Sequence, residues 1–435
     1  MTIASAITGI HARQVLDSRG RPTVEVEVAL RDGSLGRACA PSGASTGRHE
    51  ARELRDGDPN DFEGRSVRKA VANVVGEIAE VLVGQDALDQ PRVDEKLREI
   101  DGTDNLSRLG ANAVLATSLA TCRAAAAHAS LPLYRHIAQL AGVETISLPM
   151  PMTNILSGGA HAGRGMDIQD FLAVPLGARS YSEALSILAK VRSVAATLLA
   201  ERGGTVLLAD EGGLSPGFSS ARAALDLFME TIERAGFTPG KDVAITLDVA
   251  ASELFQDGRY HLRREGRDFD GREMASFILD LIRKYPIVSV EDPLDQDDWE
   301  NWRGFTSLAP DIQIVGDDLF VTNQCRIAQG VEQGVANAVL IKVNQNGTLT
   351  GTLDAMRIAR EAGFATIVSA RSGETEDPFI ADLAVGTGAG QIKIGSVRNS
   401  ERLSKYNQLL RIEEDPALTF AGTSGLAGLG LKRAA

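Results

Sequence analysis

The sequence predicts an α/β protein in which a (β/α)8-type barrel is preceded by a smaller α+β domain. Two observations support this prediction: short apolar segments alternate with amphipathic segments over the later part of the chain, and the apolar segments end in charged residues. A length of 435 residues suits one small domain joined to one large barrel. We therefore predict two domains, residues 1–140 and residues 141–435, and expect the active site in the second.

The first domain is predicted to begin with a β-meander and to continue with helices. Residues 23–28 alternate valines with polar side chains at the two-residue period of a half-buried strand. An Asp-Gly pair at residues 32–33 favours a hairpin turn before a second strand that ends near Cys39. Residues 41–47 are all small or turn-forming, which predicts a mobile loop, and the Ala-rich residues 110–129 predict a helix.

Six apolar segments of the second domain are predicted to be strands with a charged residue at the end of each. They are residues 243–248, 287–291, 312–317, 339–342, 365–371 and 391–393, which end in Asp248, Glu291, Asp317, Lys342, Arg371 and Lys393. Parallel strands of a barrel end at one face, where active sites of this fold are built, so these side chains are expected to converge. Between the strands, Ser180 with Glu183 three residues later predicts a helix start with a capping box.

Composition excludes several classes of function. The net charge is −13 and the chain has no run of Lys and Arg, which argues against a nucleic-acid partner. No apolar run approaches the roughly 18 residues that a membrane span needs, and no basic segment precedes an apolar stretch at the start, so we expect no membrane partner and a cytoplasmic location. A small anionic substrate is still compatible with this charge, because local cations or metal ions dominate the field inside a cleft.

The charged strand ends have the chemistry of a metal-assisted site for a small acid. Asp248, Glu291 and Asp317 offer hard oxygen ligands, which Mg²⁺ prefers. An acidic residue after a strand is, taken alone, more often a helix cap than a metal ligand. Three such residues at successive strand ends favour the interpretation as metal ligands. Lysine and arginine beside them would hold an anion, and a desolvated lysine close to other cations has its pKa lowered enough to act as a base. Proton removal next to a carboxylate needs this combination.

Several longer motifs resemble the enolase family, the phosphopyruvate hydratases. They are Asp17-Ser18-Arg19-Gly20, Asp210-Glu211-Gly212-Gly213, Glu291-Asp292-Pro293, Gly316-Asp317-Asp318-Leu319, Lys342-Val343-Asn344-Gln345 and Arg371-Ser372-Gly373-Glu374. The likeness runs in the family's order over nearly the whole chain, residues 7–415. It implies an enzyme of the lyase class that acts on 2-phosphoglycerate or phosphoenolpyruvate with Mg²⁺, two ions to each active site.

The resemblance also implies roles for the residues that perform the reaction. Asp248, Glu291 and Asp317 would bind the first Mg²⁺. Lys342 would be the base that takes the proton from C2. Glu211 would be the acid that assists loss of the C3 hydroxyl.

The substrate contacts are carried over in the same way. Lys393 would contact the substrate carboxylate, Arg371 and Ser372 the phosphate, and His161 the remainder of the substrate. Ser45, in the loop predicted to be mobile, would contact the substrate and bring in the second Mg²⁺. The partner implied is a small phosphorylated carboxylate, and relatives of this kind are homodimers or rings of dimers, so a homo-oligomer is expected.

Two positions depart from the family pattern. Ala370 stands where enolases have a histidine before the Arg-Ser pair, and Asp170 stands where they have a catalytic glutamate. Asp170 is therefore either a shortened catalytic carboxylate or a vestige of one. The resemblance implies that both changes fall on the leaving-group side, so the chain resembles a diverged paralogue, similar to the carboxyphosphonoenolpyruvate synthases of phosphonate biosynthesis. The alternatives are an ordinary enolase and a catalytically silent paralogue with a binding or structural role.

Overall fold

The computed structural model describes residues 3–43 and 47–426, which form a small α+β domain and a large closed barrel. The small domain begins with the antiparallel strands β1 (Ile7–Leu16), β2 (Pro22–Leu30) and β3 (Leu35–Cys39). Its helices are α1 (Arg68–Asn73), α2 (Ala79–Leu82), α3 (Gln90–Asp101), α4 (Ala111–His128) and α5 (Leu133–Ala141), with a π-helical turn at Val74–Ile78. The predicted meander and the predicted helix at residues 110–129 are confirmed.

The meander packs on α4 because both surfaces carry very small residues at their contact. The valines of β2 are fully buried and its glutamates are partly exposed, as the two-residue period predicts. A methyl group on Gly36 of β3 would lie 2.0 Å from the carbonyl oxygen of Ala120 in α4. Glycine is therefore required at this position by close approach of sheet and helix.

The remaining strands and helices form the second domain. The strands are β4 (Ser147–Leu148), β5 (Met150–Ser157), β6 (Asp170–Val174), β7 (Ala244–Asp248), β8 (Phe255–Gln256), β9 (Arg259–Leu262), β10 (Arg267–Phe269), β11 (Ile287–Glu291), β12 (Gln313–Gly316), β13 (Ala338–Ile341), β14 (Ala365–Ser369), β15 (Gln391–Lys393) and β16 (Thr419–Phe420). The helices are α6 (Tyr181–Glu201), α7 (Ala221–Arg234), α8 (Gly271–Lys284), α9 (Trp299–Leu308), α10 (Gln324–Gln333), α11 (Val343–Asn346), α12 (Leu349–Glu361), α13 (Phe379–Gly386) and α14 (Ser400–Glu413).

Eight of these strands close a barrel in the order β5-β6-β7-β11-β12-β13-β14-β15, and β15 pairs with β5. Its interior is filled by apolar side chains such as Met152, Leu172 and Leu340, so the barrel is a packed core and not a pore. The predicted fold class, an α/β barrel preceded by a smaller domain, is confirmed. Among the described residues no helix is both long and apolar enough to cross a membrane.

One strand departs from the parallel arrangement that a (β/α)8-type barrel leads one to expect. β6 runs antiparallel to both of its neighbours, β5 and β7. The chain between β5 and β6, residues 158–169, contains only a single short 3-10 turn and no crossover helix, so the chain must return in the opposite direction. Both α6 and α7 follow β6 instead.

Smaller differences concern the ends of elements. Asp317, Lys342 and Arg371 lie just after β12, β13 and β14 and not within them. At the start of α6, the Ser180 hydroxyl accepts from the backbone N–H of Glu183 as predicted. The Glu183 carboxylate accepts instead from the backbone N–H of Arg179, so the reciprocal half of the capping box is not made.

Candidate active site

Three acids predicted as metal ligands lie at the carboxyl-terminal end of the barrel. Asp248 ends β7 and Glu291 ends β11, and the two residues are directly paired across these strands. Asp317 follows the next strand, β12. All three are buried, which is unusual for carboxylates unless they bind cations or hydrogen-bond donors.

Two lysines neutralise these acids. Lys393 Nζ lies 2.7 Å from Asp248 Oδ2 and 2.6 Å from Glu291 Oε2. Lys342 Nζ donates a hydrogen bond to Asp317 Oδ2. The barrel mouth thus brings together three carboxylates and two ammonium groups that the sequence places on five separate barrel segments.

The Lys342 pKa differs from the sequence-based expectation. Burial is the largest influence on the pKa of Lys342 and lowers it, but the charges of Asp317 and Glu291 act together in the opposite direction and the net pKa is raised. The expected lowered pKa is therefore wrong for this arrangement of charges. Similarly, burial is outweighed at Lys393 by Asp248 and Glu291, which raise its pKa well above the ordinary value.

The residues at this edge fit a divalent cation. Glu291 Oε1 is buried and has no hydrogen-bond partner among the described residues, while its other oxygen is held by Lys393. Burial and then the charge of Asp248 raise the pKa of Glu291, and Lys393 and Lys342 only partly oppose them, so an added cation would stabilise the ionised carboxylate. Carboxylate oxygens are the donors that Mg²⁺ takes, and Asp248, Glu291 and Asp317 are the residues that would hold it.

A second acidic group shares Asp317. Oxygens of Asp292, Asp317 and Asp318 lie within 4.8 Å of one another, which makes them a possible metal-binding triad. Both oxygens of Asp292 accept backbone N–H groups, from Asp317 at 2.9 Å and from Asp318 at 2.8 Å. Asp292 therefore fixes the turn that carries Asp317, and these bonds compete with any role of Asp292 as a ligand.

A buried hydrogen-bond chain holds Lys342 and Asp317 in place. Gln345 Nε2 donates to Asp317 Oδ1 at 2.9 Å, and Thr322 Oγ1 donates to Gln345 Oε1 at 2.8 Å. The same hydroxyl accepts the backbone N–H of Lys342 at 2.9 Å. Thr322 and its neighbour Val321 both have positive φ, 50° and 45°, which is strained for β-branched residues and is typical of functional sites.

The two residues predicted to contact the phosphate, Arg371 and Ser372, follow strand β14. Arg371 Nη1 donates to Glu50 Oε2 at 2.9 Å and to Asn344 Oδ1 at 2.8 Å. Ser372 follows, and its Oγ accepts from Arg19 Nη1 at 3.3 Å. Ser45 lies outside the described residues.

The predicted leaving-group side is formed by the loop after β5 and by residues before α7. His161 is buried, and among the described residues neither ring nitrogen has a hydrogen-bond partner. Its Nδ1 lies 3.6 Å from Glu211 Oε1, and Asn154 Nδ2 donates to Glu211 Oε2 at 3.1 Å. An unpartnered buried imidazole beside a carboxylate suits contact with a polar ligand.

Asp170, by contrast, is bound to its own strand neighbour. Asp170 begins β6 and pairs with Ser157 on β5 and with Asp248 on β7. Ser157 Oγ donates to Asp170 Oδ1 at 2.5 Å. Burial raises the pKa of Asp170 well above its usual value, and the charges of Glu211 and Asp248 add to this.

Glu211 has the opposite electrostatic environment. Burial alone would raise the pKa of Glu211, but His161, Arg402, Lys393 and Lys342 together outweigh burial and lower it. The pKa values of the two carboxyl groups therefore shift in opposite directions. Asp170 favours its protonated form and Glu211 its ionised form. Ala370 is buried and its backbone N–H donates to the carbonyl oxygen of Lys393.

Several residues of the site were missed by the sequence analysis. Glu50, Asn344, Gln345 and Thr322 are buried polar residues that hold Arg371, Lys342 or Asp317. Asn344 and Gln345 lay inside a motif that was quoted, so their position two and three residues after Lys342 was an available signal. Glu50 gives no local signal, because only the packing of the small domain on the barrel brings it to Arg371.

Comparison with known families gives two matches. Residues 145–427 match the family model "Enolase, C-terminal TIM barrel domain". Residues 7–137 match "Enolase, N-terminal domain". Together the two matches cover most of the chain, and the domain division at residue 140 stays a prediction.

Proposed function

The chain belongs to the enolase family, and on that premise we propose that it is a Mg²⁺-dependent enzyme which acts on a small phosphorylated acid of the 2-phosphoglycerate or phosphoenolpyruvate type. The proposed reaction passes through the enolate of that acid. We further propose that expulsion of hydroxide is altered, as in a diverged paralogue of the carboxyphosphonoenolpyruvate synthase kind.

The first half of the proposal is supported by the set of charges at the barrel mouth. Bound Mg²⁺ would supply positive charge that makes the proton beside the substrate carboxylate acidic. Lys393 would bind that carboxylate once its ammonium is released from Asp248 and Glu291. Lys342 would take the C2 proton at Nζ, because the amine loses its partner when Asp317 is engaged, and burial with Arg371 nearby then favours the neutral form.

The second half depends on a single observation, the hydrogen bond of 2.5 Å between Ser157 and Asp170. A glutamate here would carry its carboxylate about 1.5 Å further from the strand, one carbon–carbon bond more. The aspartate instead makes a bond with the neighbouring strand. Loss of a catalytic acid or base costs about 10²–10⁴ in rate, so this change favours a weakened dehydration step.

A dehydration assay with 2-phosphoglycerate and Mg²⁺ tests the proposal. We expect slow formation of phosphoenolpyruvate by the natural protein and a gain of about 10²-fold or more in the double variant Asp170→Glu with Ala370→His. The two single variants are the controls. Dehydration by the natural protein at ordinary enolase rates would overturn the altered step.

The ordinary dehydratase is the second candidate, and the intact pair His161 and Glu211 favours it. The silent paralogue is the third. It predicts no Mg²⁺-dependent binding of 2-phosphoglycerate, which calorimetry would measure directly. Mg²⁺-dependent binding together with slow dehydration would support the first proposal over both alternatives.

A further inference from the structure

Arg19 is a cation of the small domain that the proposed reaction does not yet use. It lies in the turn between β1 and β2, and its side chain is 8% exposed. Nη1 donates to Ser372 Oγ, and Nη2 donates to the carbonyl oxygens of Ser42 and Gly43, both at 3.2 Å. A nearly buried arginine with acceptors in both domains is not an ordinary solvated surface charge.

The turn is built to aim this side chain at the barrel. Asp17 Oδ1 accepts the backbone N–H groups of Arg19 and Arg21, at 2.8 Å and 2.9 Å. Asp17 Oδ2 lies 3.5 Å from Arg19 Nη2. A carboxylate that holds both the backbone and the guanidinium fixes the direction in which Arg19 extends.

The backbone at Ser42 and Gly373 packs closely around the Arg19 guanidinium. Gly373 follows Ser372, and a methyl group on Gly373 would lie 2.5 Å from Arg19 Nη2 and 2.6 Å from the carbonyl oxygen of Ser42. The backbones of Ser42 and Gly373 also exchange two hydrogen bonds, of 2.7 Å and 2.9 Å. Glycine is thus required here so that the guanidinium can reach Ser372.

The Ser372 hydroxyl has one lone pair occupied, and its proton has no hydrogen-bond acceptor in the part of the chain that the structure describes. Its oxygen accepts from Arg19. Ser372 is 4% exposed, so water does not readily take that role. The backbone is fixed independently, because Arg402 Nη2 donates to the Ser372 carbonyl oxygen at 2.7 Å. A buried hydroxyl proton without an acceptor points to one supplied by a ligand.

We propose that Arg19 is a positioning residue: by donating to Ser372 Oγ it turns the hydroxyl proton towards an anionic oxygen of the substrate, so that the small domain sets the affinity for phosphate-bearing acids. The inference rests on the proposed function, which assigns the phosphate to Arg371 and Ser372. Arg19 acts through Ser372 and not by contact with the reacting carbon. It therefore governs binding of the ground state more than the chemical step.

The test is a double-mutant cycle on binding of 2-phosphoglycerate, measured by calorimetry with Mg²⁺ present. Arg19→Met and Ser372→Ala are each expected to weaken binding by about tenfold or more, since each removes a charge-assisted or ligand-directed hydrogen bond. The double variant is expected to bind no more weakly than the weaker single variant, because both changes remove one linked pair. Arg21→Met, in the same turn but with no side-chain hydrogen bond or ion pair among the described residues, is the matched control and should bind as the natural protein does.

Conservative replacement separates positioning from folding. Arg19→Lys keeps the charge but cannot reach Ser372 and both carbonyls at once, so binding intermediate between the natural protein and Arg19→Met is expected. In any measurable activity, KM should rise while kcat changes little. Additive losses in the double variant would overturn this inference, and so would equal binding by Arg19→Met and Arg21→Met. Neither result would affect the proposed function. Failure of the natural protein to bind 2-phosphoglycerate with Mg²⁺ would contradict both this inference and the proposed function.

Discussion

Lys393 bridges Asp248 and Glu291, with its ammonium 2.7 Å and 2.6 Å from one oxygen of each. It therefore occupies the position of a cation between two buried carboxylates on neighbouring strands. Removal of such a cation leaves buried negative charge without compensation, which costs about 3–5 kcal/mol. A bound metal ion would restore the missing charge.

Lys393→Met should therefore unfold at lower temperature than the natural protein in EDTA and recover most of the loss when Mg²⁺ is added. Thermal unfolding with and without the metal measures both effects. Lys241→Met, at an exposed lysine, is the control and should change little under either condition. An equal loss in Mg²⁺ and in EDTA would contradict a metal site at these carboxylates.

Exchange of the C2 proton of 2-phosphoglycerate with solvent deuterium isolates the role of Lys342. Lys342→Ala should slow this exchange by about 10²-fold or more, because the base is removed. Glu211→Gln should retain exchange, since Glu211 is assigned to the other half of the reaction. Proton NMR in D₂O follows the signal. Exchange that survives in Lys342→Ala would disprove the assignment of the base.

Gly373→Ala should destabilise the contact between the two domains. The added methyl group would meet Arg19 and Asp17 at 2.5 Å, and overpacking of this kind costs about 1–3 kcal/mol. Gly304→Ala is the matched control, because that glycine lies in α9 with open space around it and alanine there should stabilise by up to about 1 kcal/mol. Urea unfolding compares the two variants. Equal free energies of unfolding would rule out the close approach.

Asp382 in α13 gives a pH dependence away from the active site. Burial raises the pKa of Asp382 from 3.8 to about 6, although Arg123 opposes this, and Gln408 donates to its carboxylate. The unfolded chain loses this proton first as pH rises, so the free energy of unfolding falls between about pH 4 and pH 6 and stays lower above.

Asp382→Asn removes this titration and should be more stable than the natural protein at pH 8 by up to about 3 kcal/mol. This limit is the free energy that corresponds to the rise in the Asp382 pKa of about two units. The advantage should disappear near pH 4. Asp311→Asn, at an exposed residue, should follow the natural protein at every pH. Urea unfolding across this range measures the difference. Parallel curves for Asp382→Asn and the natural protein would show that the buried carboxyl does not titrate there.

The sequence predicted the barrel and its charged mouth because strands carry local signals. Asp248, Glu291 and Lys393 end short apolar runs, and the structure brings these three side chains into contact. The ligand and substrate roles of these residues stay predictions. The homo-oligomer and the second Mg²⁺ do as well.

What the sequence did not predict depends on packing between distant segments. Glu50 and Arg19 come from turns and loops of the small domain, and no periodicity indicates which barrel residue each will meet. The reversed direction of β6 was missed for a similar reason. A fully buried strand of five residues has no sequence pattern that indicates its direction. The direction of β6 is seen only in its pairing with β5 and β7.

That reversed strand has an evolutionary consequence. β6 delivers its first residue to the mouth, whereas β7, β11 and β15 deliver their last. The preceding residues 158–169 lie outside the barrel strands, so a change of length there need not shift the pairing register of the other seven strands. A change in this loop can therefore remodel the side of the pocket that carries His161 without moving the acids, because Asp248 and Glu291 are held in register on the paired strands β7 and β11.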